Sequence, residues 1–137
     1  MTDVVTSEAA GKTEDTVVVQ RQVSHELKNV WNALMADEGA EALLGPGAHL
    51  GDKGHTWIAE DGTRGVTRSF HPMEQIRFSW HADEAAPATI VDLHLRRVGD
   101  GTTSLEVVHG HLYDGIDRDE LVEHWSRALE RIDHEAL

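Results

Sequence analysis

From Thr16 onward, apolar and polar residues alternate along the chain in patterns that change period several times. In TVVVQRQVS (16–24), Val17, Val19, Arg21 and Val23 alternate with Val18, Gln20 and Gln22, the period-two pattern of a strand with one apolar side. Ser24 has the chemistry of an N-cap, and behind it Leu27, Val30, Trp31 and Leu34 fall on one helical stripe. A second short helix is expected over 37–44, stopped by Gly45-Pro46-Gly47. Short strands follow over 54–60, 63–71, 75–82, 88–98 and 102–112, separated by Asp61-Gly62, Pro72-Met73-Glu74 and Gly99-Asp100-Gly101. The last stretch, 119–132, returns to helical spacing, with Leu121, Trp125, Ala128, Leu129 and Ile132 along one side. Glu120, Glu123, Arg127, Glu130 and Arg131 fall mostly on the other side, and Asp117 or Asp119 can cap the start. Hairpin-length connections require antiparallel pairing. The predicted architecture is α+β: an antiparallel sheet curved around a long C-terminal helix, with two short helices after the first strand.

Composition narrows the function classes. Residues 1–15 are small, polar and aperiodic, and are expected to form a disordered tail; residues 16–137 are expected to form one domain. No apolar run approaches the roughly 18 residues of a membrane span, and MTDVVTSEAAGKTED lacks the basic start and apolar core of a secretory signal. The absence of cysteine removes thiolate nucleophiles and thiolate metal sites, and fits a reducing, cytoplasmic setting. With 12 basic and 25 acidic residues the formal charge is −13, which argues against nucleic acid or an anionic membrane as partner.

Strand register sorts the candidate polar residues. With the hairpin centred on residue 100, Leu93 faces Val107, Leu95 faces Leu105 and Val91 faces His109, so His109 and His111 are expected to point inward with the apolar set. His94 points the other way, opposite Glu106, so His94, His109 and His111 do not meet at one metal. Three readings of His109 stay open: a satisfied core histidine, a polar contact inside a cavity, or half of a two-histidine metal site. With the preceding hairpin centred near Met73, Arg68 faces Phe78 and shares the inner face with Val66 and Phe70. A guanidinium there would anchor a ligand carboxylate or phosphate, pair with an internal acid, or be turned outward by a bulge. Trp31, Trp57, Trp80 and Trp125 come from four elements of a chain with only two Phe and one Tyr; if they converge, they form a core or a pocket for flat apolar molecules. There is no G-x-S-x-G, phosphate loop or H-E-x-x-H. His124 and Glu120, four apart on the terminal helix, read as surface decoration.

An ordered set of residues resembles a known superfamily. It comprises the first strand running into Val30-Trp31-Asn32-Ala33-Leu34, and Gly54, Asp61-Gly62 and Gly65. It continues with Pro72 before Ile76-Arg77-Phe78-Ser79-Trp80, Gly101-Thr102 leading to Leu105, Val107 and His109, and Trp125 before Ala128-Leu129. Over about residues 16 to 134 the chain resembles the START-like or SRPBCC superfamily with its helix-grip fold, in the branch related to the activator of the heat-shock-protein-90 ATPase. The resemblance implies a hydrophobic cavity between sheet and terminal helix, but not one function, because the superfamily includes lipid carriers, aromatase/cyclases, co-chaperones and self-sacrificing resistance proteins. One departure is Leu43-Leu44-Gly45-Pro46, where the family often places a Trp.

The expected function is binding of a small hydrophobic or aromatic molecule by Trp31, Trp57, Phe78, Trp80, His109, His111 and Trp125, with Arg68 as polar anchor. No catalytic residue, metal or other cofactor is assigned. The alternatives are a co-chaperone-like interaction module with a chaperone partner and, ranked below it, a cyclase or dehydratase using His109 as acid/base. Exposed strand edges allow a homodimer.

Overall fold

The computed structural model describes residues 15–137; the expected tail, apart from Asp15, lies outside the described residues. Strand β1 (Val17–Val23) leads into α1 (Leu27–Met35) and α2 (Asp37–Leu44). Then come β2 (Thr56–Ile58), β3 (Arg64–His71), β4 (Gln75–Trp80), β5 (Thr89–Gly99), β6 (Thr102–Gly110) and α3 (Arg118–Arg131). The six strands form one antiparallel sheet in the order β1-β6-β5-β4-β3-β2, so β1 joins the sheet beside the last strand while β2 to β6 form a meander. The predicted α+β architecture is the observed one.

The period-two residues explain which face of the sheet is buried. Ile76 and Phe78, Val91, Leu93 and Leu95, and Leu105 and Val107 are all buried, and they meet Val17, Val19 and Val23 of β1 and Leu121, Trp125, Ala128 and Leu129 of α3. Each large apolar side chain so enclosed contributes about 1.5–3 kcal/mol. Asp117 caps α3 by accepting from the Glu120 amide at 3.1 Å. Beyond α3 the chain makes one wider turn, with the Leu137 amide bonded to the Ile132 carbonyl at 3.0 Å. Arg21 of β1 donates to Asp133 in that turn at 2.9 and 3.0 Å, tying the first described strand to the end of the chain.

Ser24 does not cap α1. Glu26 holds the N-cap position without a side-chain bond, and Thr103 fixes the approach by donating to the His25 carbonyl at 2.7 Å. α1 and α2 meet at Ala36, whose extended backbone separates them, and Gly39 lies so close that an added Cβ would sit 1.9 Å from the Ala33 carbonyl oxygen.

In β3 the expected register holds at Phe70, which pairs with Ile76, and fails upstream of it, at Arg68. Thr67 pairs with Phe78 and Ser69 with Arg77, leaving Arg68 as the extra residue of a bulge. Thr67 is fully buried, and its hydroxyl donates to the Leu50 carbonyl at 2.5 Å. Its amide bonds the His55 carbonyl and its carbonyl accepts from Gly54, so this single residue secures the 50–55 loop. Upstream, Gly65 is a close approach: a Cβ there would lie 1.9 Å from the Ser79 carbonyl oxygen and 2.8 Å from the Trp57 ring. Trp57, paired opposite Gly65 across the β2–β3 ladder, fills that space.

Candidate functional site: an aromatic cluster under the terminal helix

The middle of the sheet meets α3 through rings. Phe78 lies between Trp57, at 5.9 Å between centroids, and Trp125, at 6.2 Å. Trp80 lies 6.1 Å from Trp125 and 5.0 Å from His109, which is 5.8 Å from Trp125. His124 closes the group, edge-on to Trp125 at 4.6 Å and 5.6 Å from Trp80.

His109 is at the centre of a hydrogen-bond chain that fixes its tautomer. The indole N–H of Trp125, which can only donate, bonds His109 Nδ1 at 3.0 Å. The ring proton is therefore on Nε2, which donates to Thr89 Oγ1 at 2.7 Å, and the Thr89 hydroxyl donates to the Trp80 carbonyl at 2.7 Å. Protonating Nδ1 would set two N–H groups against each other in a dry site. Burial, with the neighbouring His124 adding to it, pushes the His109 pKa from 6.5 down to about 3. His109 is thus a neutral, fully buried core histidine with both ring nitrogens partnered.

Other polar groups in the cluster are not satisfied. The indole nitrogens of Trp57 and Trp80 and Nε2 of His124 are all enclosed without a hydrogen-bond partner. His124 also lines a surface cleft of about 520 Å³ between the Pro46 and Asp61 turns and the Glu120, Glu123, Arg127 and Arg131 side chains of α3. Burial lowers the pKa of His124; the Asp61 carboxylate opposes this, while Arg131 and Arg127 reinforce it. Arg127 is paired with Glu123 at 2.8 Å, and Arg131 donates to the Ala42 carbonyl at 3.1 Å.

Of the residues expected at the site, Trp57, Phe78, Trp80, His109 and Trp125 come together. Trp31 is buried against the core from α1 but makes no ring contact with this group. Two expectations are corrected. Arg68 is exposed, because the bulge turns it to the outer face and gives its inward place to Thr67. His111 is exposed as well, because the strand ends at Gly110 and a left-handed backbone at His111 (φ 57°) carries it off the sheet. His111 therefore does not join His109 on the inner face of the sheet, and no cluster of three potential metal ligands occurs among the described residues. Sequence reasoning missed His124. Its position, three after Leu121 and four before Ala128, is at the margin of the apolar stripe, and that was the available signal.

No family model matches the chain, and no curated protein sequence does so. Solved structures do. Protein CV1439 from Chromobacterium violaceum superposes with a TM-score of 0.70 at 19% identity, covering 89% of this chain and 97% of that one. CalU16 from Micromonospora echinospora gives 0.70 at 22% identity over 85% of this chain and 73% of its own. The Aha1 dimer from Colwellia psychrerythraea gives 0.71 at 14% identity over 88% and 95%. At these identities the likeness is one of architecture, and the architecture is the helix-grip fold.

Proposed function

We propose that this domain binds a flat, mainly apolar aromatic molecule between the sheet and α3, among Trp57, Phe78, Trp80 and Trp125. The observation that carries this is the contrast among three indoles in one cluster. Trp125 has a dedicated acceptor in His109, whereas the N–H groups of Trp57 and Trp80 are enclosed with none. Each buried orphan donor costs about 1–3 kcal/mol, a cost that an acceptor atom on a bound molecule removes. Aromatic rings supply wide contact area at low conformational cost, which suits a flat ligand. A co-chaperone role through the surface is less well supported. Among the described residues the large apolar side chains left exposed are Met35 and Ile58, on different elements, and these do not make a contiguous patch.

Native mass spectrometry of the protein purified from its own host, followed by tryptophan-fluorescence titration with flat aromatic compounds, tests the proposal. A retained small molecule and a saturable emission change are expected, weakened in Trp80→Phe. A protein that carries nothing and whose emission no aromatic compound alters would refute it.

A further inference from the structure

Trp80 and His124 are neighbouring rings, 5.6 Å between centroids, and each carries an enclosed nitrogen without a partner. The two nitrogens are chemically different. The indole N–H of Trp80 can only donate. His124 Nε2 can accept, provided the ring's single proton is on Nδ1. Nδ1 is the nitrogen not enclosed, and the Asp61 carboxylate acts on this ring from the cleft side. Burial keeps the ring neutral, so one nitrogen stays free as an acceptor.

A group that accepts one hydrogen bond and donates another matches this pair, and a hydroxyl is the smallest ligand group that does both through a single atom. An ether or ketone satisfies Trp80 alone, and a carboxylate would face the lone pair of His124. We propose that the ligand is a hydroxylated aromatic whose O–H accepts from Trp80 Nε1 and donates to His124 Nε2, which presupposes the aromatic site proposed above. The same geometry assigns His124 as the partition between the outer cleft and the ring cluster: it lines the first and packs edge-on against Trp125 and Trp80 in the second.

The test compares 2-naphthol, 2-methoxynaphthalene and 2-naphthoate by calorimetry, with the ¹⁵N–¹H indole resonance of Trp80, assigned through Trp80→Phe, as a local readout. 2-Naphthol is expected to bind about tenfold more tightly than the methyl ether, the factor one hydrogen bond supplies, and to shift the Trp80 indole resonance. In His124→Phe, which keeps a ring in the partition, the preference for the hydroxyl should vanish while the ether binds as before. Equal binding of naphthol and its ether in the unmodified protein would overturn the hydroxyl assignment and leave the aromatic site standing. Preference for naphthoate would overturn it too. A Trp80 indole held by a retained internal water, unchanged at naphthol saturation, would overturn the assignment of these two nitrogens. Failure of all three compounds to bind would remove both proposals.

Discussion

Replacing His109 with Leu should exchange stability at neutral pH for stability in acid. The substitution leaves the Trp125 indole N–H without the acceptor it has at 3.0 Å, and removes the donor to Thr89. Thr89 retains its own bond to the Trp80 carbonyl, so the main loss is one buried donor, about 2 kcal/mol. The acid side works in the other direction. With a folded pKa of about 3 and an ordinary value of 6.5, the unfolded chain takes up the proton before the folded one does. The contribution of His109 is therefore intact above pH 6.5 and is lost as pH falls from there toward 3, by up to about 1.4 kcal/mol per pH unit. By pH 4 the loss is roughly 3 kcal/mol, and the Leu variant does not suffer it. Urea unfolding followed by far-ultraviolet circular dichroism should show the parent ahead at pH 7.5, the two level near pH 5, and the variant ahead at pH 4. All other titrating groups are common to both proteins, so the difference between the curves isolates His109. A gap that stays constant from pH 7.5 to 4 would refute both the tautomer and the depressed pKa.

Other perturbations test the frame around the cluster. Gly39→Ala should cost at least about 2 kcal/mol, because the new methyl would overlap the Ala33 carbonyl and force α1 and α2 apart; thermal unfolding measures it, and an unchanged midpoint would contradict the close approach. Asp117→Ala should remove about 1 kcal/mol by uncapping α3, with Asp117→Asn largely restoring it in the same denaturation assay. Arg68→Ala should change stability by less than about 0.5 kcal/mol and leave aromatic ligand titrations unaltered, since the side chain is exposed; a lost ligand response would put the guanidinium back in the site.

The fold was legible in the sequence wherever a period ran unbroken. Val91, Leu93 and Leu95 against His109, Val107 and Leu105 pair as the Gly99-Asp100-Gly101 turn requires, and the α3 stripe from Leu121 to Ile132 is buried as spaced. Legibility ended where one residue breaks the count. The bulge at Arg68 inserts a residue opposite the Phe78–Arg77 step, and period-two reasoning then assigns the wrong face to every position upstream of it. Thr67 gives no local warning, because its reason for facing inward is the Leu50 carbonyl 17 residues away. His111 failed for a similar reason, a single left-handed residue that ends the strand while the alternation in the sequence runs on. Within the site, the sequence identifies Trp57, Phe78, Trp80, His109 and Trp125, but not that Trp31 stays apart, that His124 joins, or which ring nitrogens find partners. The last depends on ring orientation, and it separates Trp125 from Trp80.

The strand order also governs the timing of assembly. β2 to β6 follow one another in both chain and sheet, so each hairpin can close locally as soon as its two strands exist. β1 has to wait: its partner is β6, and the Gln20–Ser104 bond spans 84 positions. The clamp between Arg21 and Asp133 spans 112 and forms only with the last turn of the chain. The meander should therefore acquire amide protection early, with β1 and α3 joining together in a later, slower phase that closes the core. Pulse-labelling hydrogen exchange during refolding would see that order directly, and protection of Val19 before Phe78 would reverse it.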